Sequence, residues 1–252
     1  MDEQIRGLSL KHRSKTDIEF LEELEKYFQN SKDSNLEKAR TFAKFAPREH
    51  MTKFLARYEI FKKILEIPGS IVDCGVFAGQ SLFTFAKLSS IFEPHNYQRK
   101  VYGFDTFSGF SKISKKDEKS KSEFLLEGGV SYSDFDDIQN AIKIFDLNRS
   151  ISHIPKIEVI KGDVAETIPK FVDEHPEIVV SLLNIDMDLY EPAKVALEYL
   201  VPRMPKKSII IFDELNNEYY KGETTAVREF FDLNGLEIKR LSFDASLSYT
   251  VI

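Results

Sequence analysis

The chain of 252 residues has a single cysteine, Cys74, no tryptophan and no long apolar run. One thiol leaves no partner for an intrachain disulfide, so the fold has to rest on a packed core. No stretch approaches the ~20 consecutive apolar residues of a membrane-spanning helix. The opening MDEQIRGLSLKHRSK lacks the apolar segment of a signal peptide. A basic excess is missing too: 35 Lys and Arg face 41 Asp and Glu, for a net charge of −6. General nucleic-acid binders carry the opposite balance. These absences lead to the expectation of a soluble, cytoplasmic protein with no membrane span and no nucleic-acid partner.

What is present is periodic. Residues 17–30 set Ile18, Leu21, Leu24, Tyr27 and Phe28 on one helical face, with Thr16 or Asp17 as the expected cap. A second helical pattern runs over 48–66, with Phe54, Tyr58, Phe61, Ile64 and Leu65 as its stripe, and Pro68-Gly69 stops it. From there short β-rich runs alternate with helices. The runs are SIVDCGV, KVYGFDTF, IEVIKGD, VVSLLNID and SIIIFDE; helices are expected near 134–146, 163–174, 191–201 and 223–233. Such alternation predicts an α/β fold with a parallel sheet covered by helices on both faces. The tail LEIKRLSFDASLSYTVI has no helix between its two strand-like runs and predicts an antiparallel edge, seven strands in all. Residues 1–66 are expected as a helical cap or lid, also a candidate dimer surface, and 67–252 as the α/β domain. The charged, Gly-bearing stretch 108–133 fits no core element and is a lid candidate.

The acids share a location. Asp73, Asp105, Asp163, Asp186, Asp188, Asp213 and Glu214 all fall at the carboxyl ends of the expected parallel strands. In open α/β sheets that edge is where ligands bind. A carboxylate is costly to bury unpaired, so acids gathered in one cleft imply a ligand, a cation or water between them. The first strand-to-helix turn, DCGVFAGQS, spaces Gly75 and Gly79 as G-x-x-x-G. This is neither the G-x-G-x-x-G of dinucleotide binders nor a phosphate-cradling Gly-Lys-Ser/Thr loop, which argues against a dehydrogenase or an NTPase. Asp105 ends the second strand, where a carboxylate accepts from ribose hydroxyls; Asp163 reads equally as a helix N-cap. The histidines His12, His50, His95, His153 and His175 form no metal-like spacing and read as surface or structural. Cys74 reads as a small buried residue, and the lysines within 112–121 as a solvated loop.

Taken together, DCGVFAGQS, VYGFDTFSGF, KGDVAETIP, LNIDMDLYEP and IIIFDE resemble the class I S-adenosylmethionine-dependent methyltransferases, and more narrowly the macrocin O-methyltransferase family. The resemblance runs over about 45–235 and implies a Rossmann-like fold and methylation of a sugar hydroxyl, on a deoxysugar, a nucleotide sugar or a surface polysaccharide. It implies S-adenosylmethionine held by Asp73, Gly75, Phe77, Gly79 and Ser81 at its methionine end, by Asp105 and Thr106 at the ribose and by Asp163 and Val164 at the adenine. It further implies Mg2+ or another divalent cation on Asp186, Asp213 and Glu214, with Asp188 as general base. Two positions depart from the family pattern: Glu214 stands where the family has Asp, and Asp73 where it has Glu. Glutamate remains a hard oxygen ligand suited to magnesium. The alternatives are a catechol-type phenol acceptor and a methyltransferase fold kept as a non-catalytic binding protein. A homo-oligomer is compatible with the sequence.

Overall fold

The computed structural model of the protein describes residues 14–132 and 134–252. His12, Ser133 and the first thirteen residues of the expected helical cap lie outside the described residues.

The N-terminal part is helical. Helix α1 (Lys15–Asn30) starts at Ser14 rather than at Thr16 or Asp17. Asp17 instead reaches back to the Ser14 backbone while the Ser14 hydroxyl accepts from the Asp17 N–H, a reciprocal capping box. Helices α2 (Asn35–Arg40) and α3 (Phe42–Phe45) follow; among α1, α2 and α3 only Phe45 is buried. Helix α4 (Arg48–Phe61) runs on into a 3-10 turn over Lys62–Ile64. Its buried face is Ala56, Arg57, Ile60 and Phe61, with Ile64 beyond. Of the stripe read from the sequence, Phe61 and Ile64 are buried and Phe54, Tyr58 and Leu65 pack partly buried against the same core, while the buried Arg57 falls outside that apolar pattern.

Five parallel strands follow, β1 (Ser70–Cys74), β2 (Val101–Asp105), β3 (Ile157–Lys161), β4 (Val180–Ile185) and β5 (Ile209–Phe212), with β6 (Ile238–Arg240) and β7 (Ser248–Val251) antiparallel at one edge. The order across the sheet is β3-β2-β1-β4-β5-β7-β6. Connections run outward in opposite directions from β1 and β4, so a cleft opens at the carboxyl ends between them. Strands β1, β4 and β5 are buried along their whole length, as expected of strands covered on both faces. One face is packed by α4, α5 (Gln80–Phe92) and α6 (Phe135–Leu147), through Ile60, Phe85 and Ile142 among others. The other is packed by α7 (Val164–Glu174), α8 (Tyr190–Leu200) and α9 (Gly222–Phe230), through Ile168, Ala196 and Val227. Cys74 is buried and free.

The stretch after β2 has no helix or strand up to 132, yet it is tied down. Phe110 exchanges backbone hydrogen bonds with Gly128 and Gly129. Asp117, 1% exposed, accepts from the Tyr190 N–H at 2.9 Å. Helix α8 begins there behind Leu189, which has no side chain able to cap it, so Asp117 caps the helix from a distant segment.

Candidate active site

The cleft has an inner recess of about 90 Å³ and an outer part of about 670 Å³; both are lined by Gly75, Phe77, Asp186 and Asp188. Gly75 makes their meeting possible. Its φ is +95°, and a Cβ there would stand 1.8 Å from the Asp186 carbonyl oxygen, so the β1 turn and the β4 loop touch backbone to backbone. Three non-glycine residues of the cleft are also left-handed, Phe77 at φ 47°, Val130 at φ 56° and Asp188 at φ 64°. Such backbone is kept where the surroundings hold a side chain at a required place.

The first half of the cleft is built on β1, β2 and β3. Asp105 accepts from the N–H groups of Phe77 (2.8 Å) and Phe107 (2.7 Å), which locks the two turns together. Thr106 donates to the Gly109 carbonyl, and Asp163 caps α7 through the Ala165 N–H while accepting from Ser111 at 2.6 Å. Asp105, Thr106, Asp163 and Val164 all line the inner recess. Ser81 lines the outer part, while Gly79 lines neither. Asp73 lies beneath the floor with no exposed surface, accepting from Ser81 (2.8 Å) and from Asn184 (2.7 Å). Burial raises its carboxyl to about 6 against the pull of those donors and of Arg57.

The second half is a ring of acids. Asp186 follows β4 and Asp213 follows β5, with Asp188 and Glu214 next to them. β4 ends at Ile185, so Asp186 and Asp188 do not share the face of an extended strand; Asp188 reaches the same cleft from a left-handed turn. Burial and the Asp213 charge raise Asp186 to about 8. Burial, then Glu214 and Asp186, drive Asp188 well above the usual carboxylate range. Burial and Asp213 raise Glu214 to about 7. Behind them Glu223, without exposed surface, accepts from the Glu214 N–H at 3.1 Å and is pushed well up by burial.

Sequence reading missed the cations of this ring. Lys53 on α4 places its ammonium 3.1 Å from both oxygens of Asp213, and Arg57, one turn on, stands 3.6 Å from Asp186. Burial, which lowers the Lys53 pKa, is outweighed by Asp213 and Asp186, so the lysine stays charged. The available signal was the i, i+4 pair of basic residues beside an apolar stripe. Tyr220, raised to about 12 by burial and by Asp188, lines the outer cleft as well. His50 lies on that wall with an exposed side chain.

The donor set of Asp186, Asp213 and Glu214 is all hard oxygen, which suits magnesium in kind. Burial first and the Asp213 charge second raise the Asp186 and Glu214 carboxyls, against the pull of Lys53 on both. Among the described residues no three His, Cys, Asp or Glu side chains are grouped as a metal site, and Lys53 holds Asp213.

The chain matches the macrocin-O-methyltransferase (TylF) family over residues 20–249. Its fold is that of CalS11, described as a calicheamicin methyltransferase: TM-score 0.90 at 30% identity, covering 95% of this chain and 94% of that one. The apo form of CalS11, described as a TDP-rhamnose 3′-O-methyltransferase, superposes with TM-score 0.82 at 31% identity over 95% of this chain and 96% of that one. The O-methyltransferase NovP shares the fold at TM-score 0.60 and 18% identity, over 80% of this chain and 79% of that one. Among curated proteins none matches the chain in sequence. No helix among the described residues is long and apolar enough to cross a membrane.

Proposed function

The chain belongs to the macrocin O-methyltransferase family, and we propose that its acceptor is a sugar hydroxyl, a deoxysugar such as the one in the CalS11 description being the first class to test. It is an S-adenosylmethionine-dependent O-methyltransferase, like the family it belongs to. The observation that carries the acceptor reading is the acid ring at the ends of β4 and β5, opening on the outer cleft beside the first turn. A sugar hydroxyl is a weak nucleophile at neutral pH and needs a group to take its proton.

In this reading Asp105 and Thr106 hold the ribose, Asp163 and Val164 border the adenine, and the Gly75–Ser81 turn receives the methionine end. Asp73 acts from below by fixing Ser81 and Asn184. The donor supplies a methyl group on a sulfonium sulfur. The acceptor oxygen forms the new carbon–oxygen bond as the carbon–sulfur bond breaks, the electron pair stays on sulfur, and the hydroxyl proton passes to Asp188. Burial first, then the Glu214 and Asp186 charges, raises the Asp188 pKa, so Asp188 that is ionised in the loaded site is a stronger base than a solvated carboxylate. Asp186, Asp213 and Glu214 would hold Mg2+ once Lys53 leaves Asp213; a bound divalent cation there would lower the pKa of a coordinated hydroxyl and offset the ring's charge. Glu223 and Thr224 brace this loop through the backbone of Glu214 and Asn216. The segment 67–252 carries all of these residues, and α4 of the proposed 1–66 cap contributes Lys53 and Arg57.

The test is turnover on deoxysugar and catechol acceptors with magnesium and with EDTA. Transfer to the sugar that EDTA suppresses supports the reading. Transfer to catechol alone redirects it to a phenol, and cofactor binding without any transfer would make the protein a binding module.

A further inference from the structure

Arg57 is 2% exposed, yet its Nε and Nη1 meet no acceptor among the described residues. Its single acidic neighbour within ion-pair range is Asp186, at 3.6 Å from Nη2, too long for a hydrogen bond. Lys53, one turn earlier, is by contrast fully engaged with both oxygens of Asp213. A buried guanidinium with idle donors is a costly arrangement that a bound anion would relieve. The guanidinium fork suits a planar carboxylate better than any other small anionic group except phosphate.

Its position narrows the choice. Arg57 lines the outer cleft together with Gly75, Phe77 and Ser81, the turn that ends α5's approach to the sheet, and its charge is felt by Asp73 under the floor. Arg57 is the buried cation of that wall, with idle donors beside the first turn. We infer that Arg57 receives the α-carboxylate of the amino-acid end of the methyl donor and of its product. The inference rests on the cofactor reading given above and adds a residue from α4, outside the strand-end turns, to that site.

The experiment is calorimetric titration with two ligands that share the adenosine thioether and differ in the amino acid: S-adenosylhomocysteine and 5′-methylthioadenosine. Replacing Arg57→Met should weaken S-adenosylhomocysteine roughly tenfold to a hundredfold and leave 5′-methylthioadenosine within about twofold. Arg57→Lys keeps the charge without the fork and should show the same selective loss at smaller size. It also serves if the Met variant does not fold. Equal losses for both ligands, or unchanged S-adenosylhomocysteine binding in either folded variant, would overturn the assignment while leaving the cofactor reading standing. Wild-type protein that bound neither ligand would overturn that reading, and this inference with it.

Discussion

The two halves of the cleft are both built from acids at strand ends, but they treat those acids differently. On β1, β2 and β3 each carboxylate is met by donors of the protein itself: Asp73 by Ser81 and Asn184, Asp105 by two backbone N–H groups, Asp163 by Ala165 and Ser111. On β4 and β5 the carboxylates crowd one another, although Asn217 donates to Glu214 and Lys53 to Asp213. Asp188 has no hydrogen-bond partner among the described residues, and the cations that offset the ring come from α4, far away in sequence. Satisfied carboxylates fix the shape of a binding surface. Carboxylates held against each other's charge keep a reservoir of unfavourable energy that a ligand, a proton or a cation can release. In the proposed reading the first half binds the donor and the second half carries the chemistry.

The strongest way to break this division is Asp188→Asn. Loss of a general base costs 10²- to 10⁴-fold, so turnover on a sugar acceptor should fall about 10³-fold. Steady-state kinetics that showed near-normal kcat would move the base elsewhere and dissolve the contrast between halves.

Lys53→Met sharpens it on the stability side. Removing the cation leaves Asp213 8% exposed at its side chain and unpaired. Breaking such a pair is destabilising, and the Tm without divalent cations should drop by about 5 °C. Adding magnesium should recover part of that drop in a thermal melt, and recover less in the wild type, where the lysine competes for Asp213.

A smaller effect concerns pH. The Asp186 carboxyl holds its proton up to about 8 when folded, whereas an unfolded aspartate releases it near 3.9. Its contribution is therefore fully present below about pH 4 and is lost as the pH rises through about 8. Asp186→Asn does not titrate. Melts without divalent cations should show its Tm advantage over the wild type widening from about pH 5 to about pH 8.5, reaching ~3 °C. A constant gap would mean that the Asp186 carboxyl is not raised in the folded protein.

The smallest change belongs to the satisfied half. Ser111→Ala removes one of two donors on Asp163, and the cap from Ala165 remains. S-adenosylhomocysteine affinity should shift by about twofold in a calorimetric titration; a tenfold loss would give the loop over the recess a larger role than its contacts suggest.

Much of this was legible in the chain because it is local. Strand runs, the glycine turn and the acids at strand ends follow from patterns a few residues long, and the parallel sheet follows from the alternation of strands and helices. The N-cap role of Asp163 was open to the same reading. What stayed hidden depends on tertiary proximity. Lys53 and Asp213 are 160 positions apart, and Arg57 sits on the buried face of α4 where periodicity expects an apolar residue. The left-handed turn at Asp188 has no sequence cue, since an aspartate there competes with glycine and asparagine for the same backbone. Asp117 as the remote cap of α8 was invisible for the same reason: Leu189 offers no cap, but nothing in the chain says which segment supplies one.

The most direct test of the division is one titration run on two variants. S-adenosylhomocysteine is titrated into Asp105→Asn and Asp188→Asn beside the wild type. The account expects Asp105→Asn to lose roughly tenfold or more in affinity and Asp188→Asn to stay within about twofold. The reverse pattern, or equal losses in both, would contradict a cleft with one half for binding and the other for chemistry.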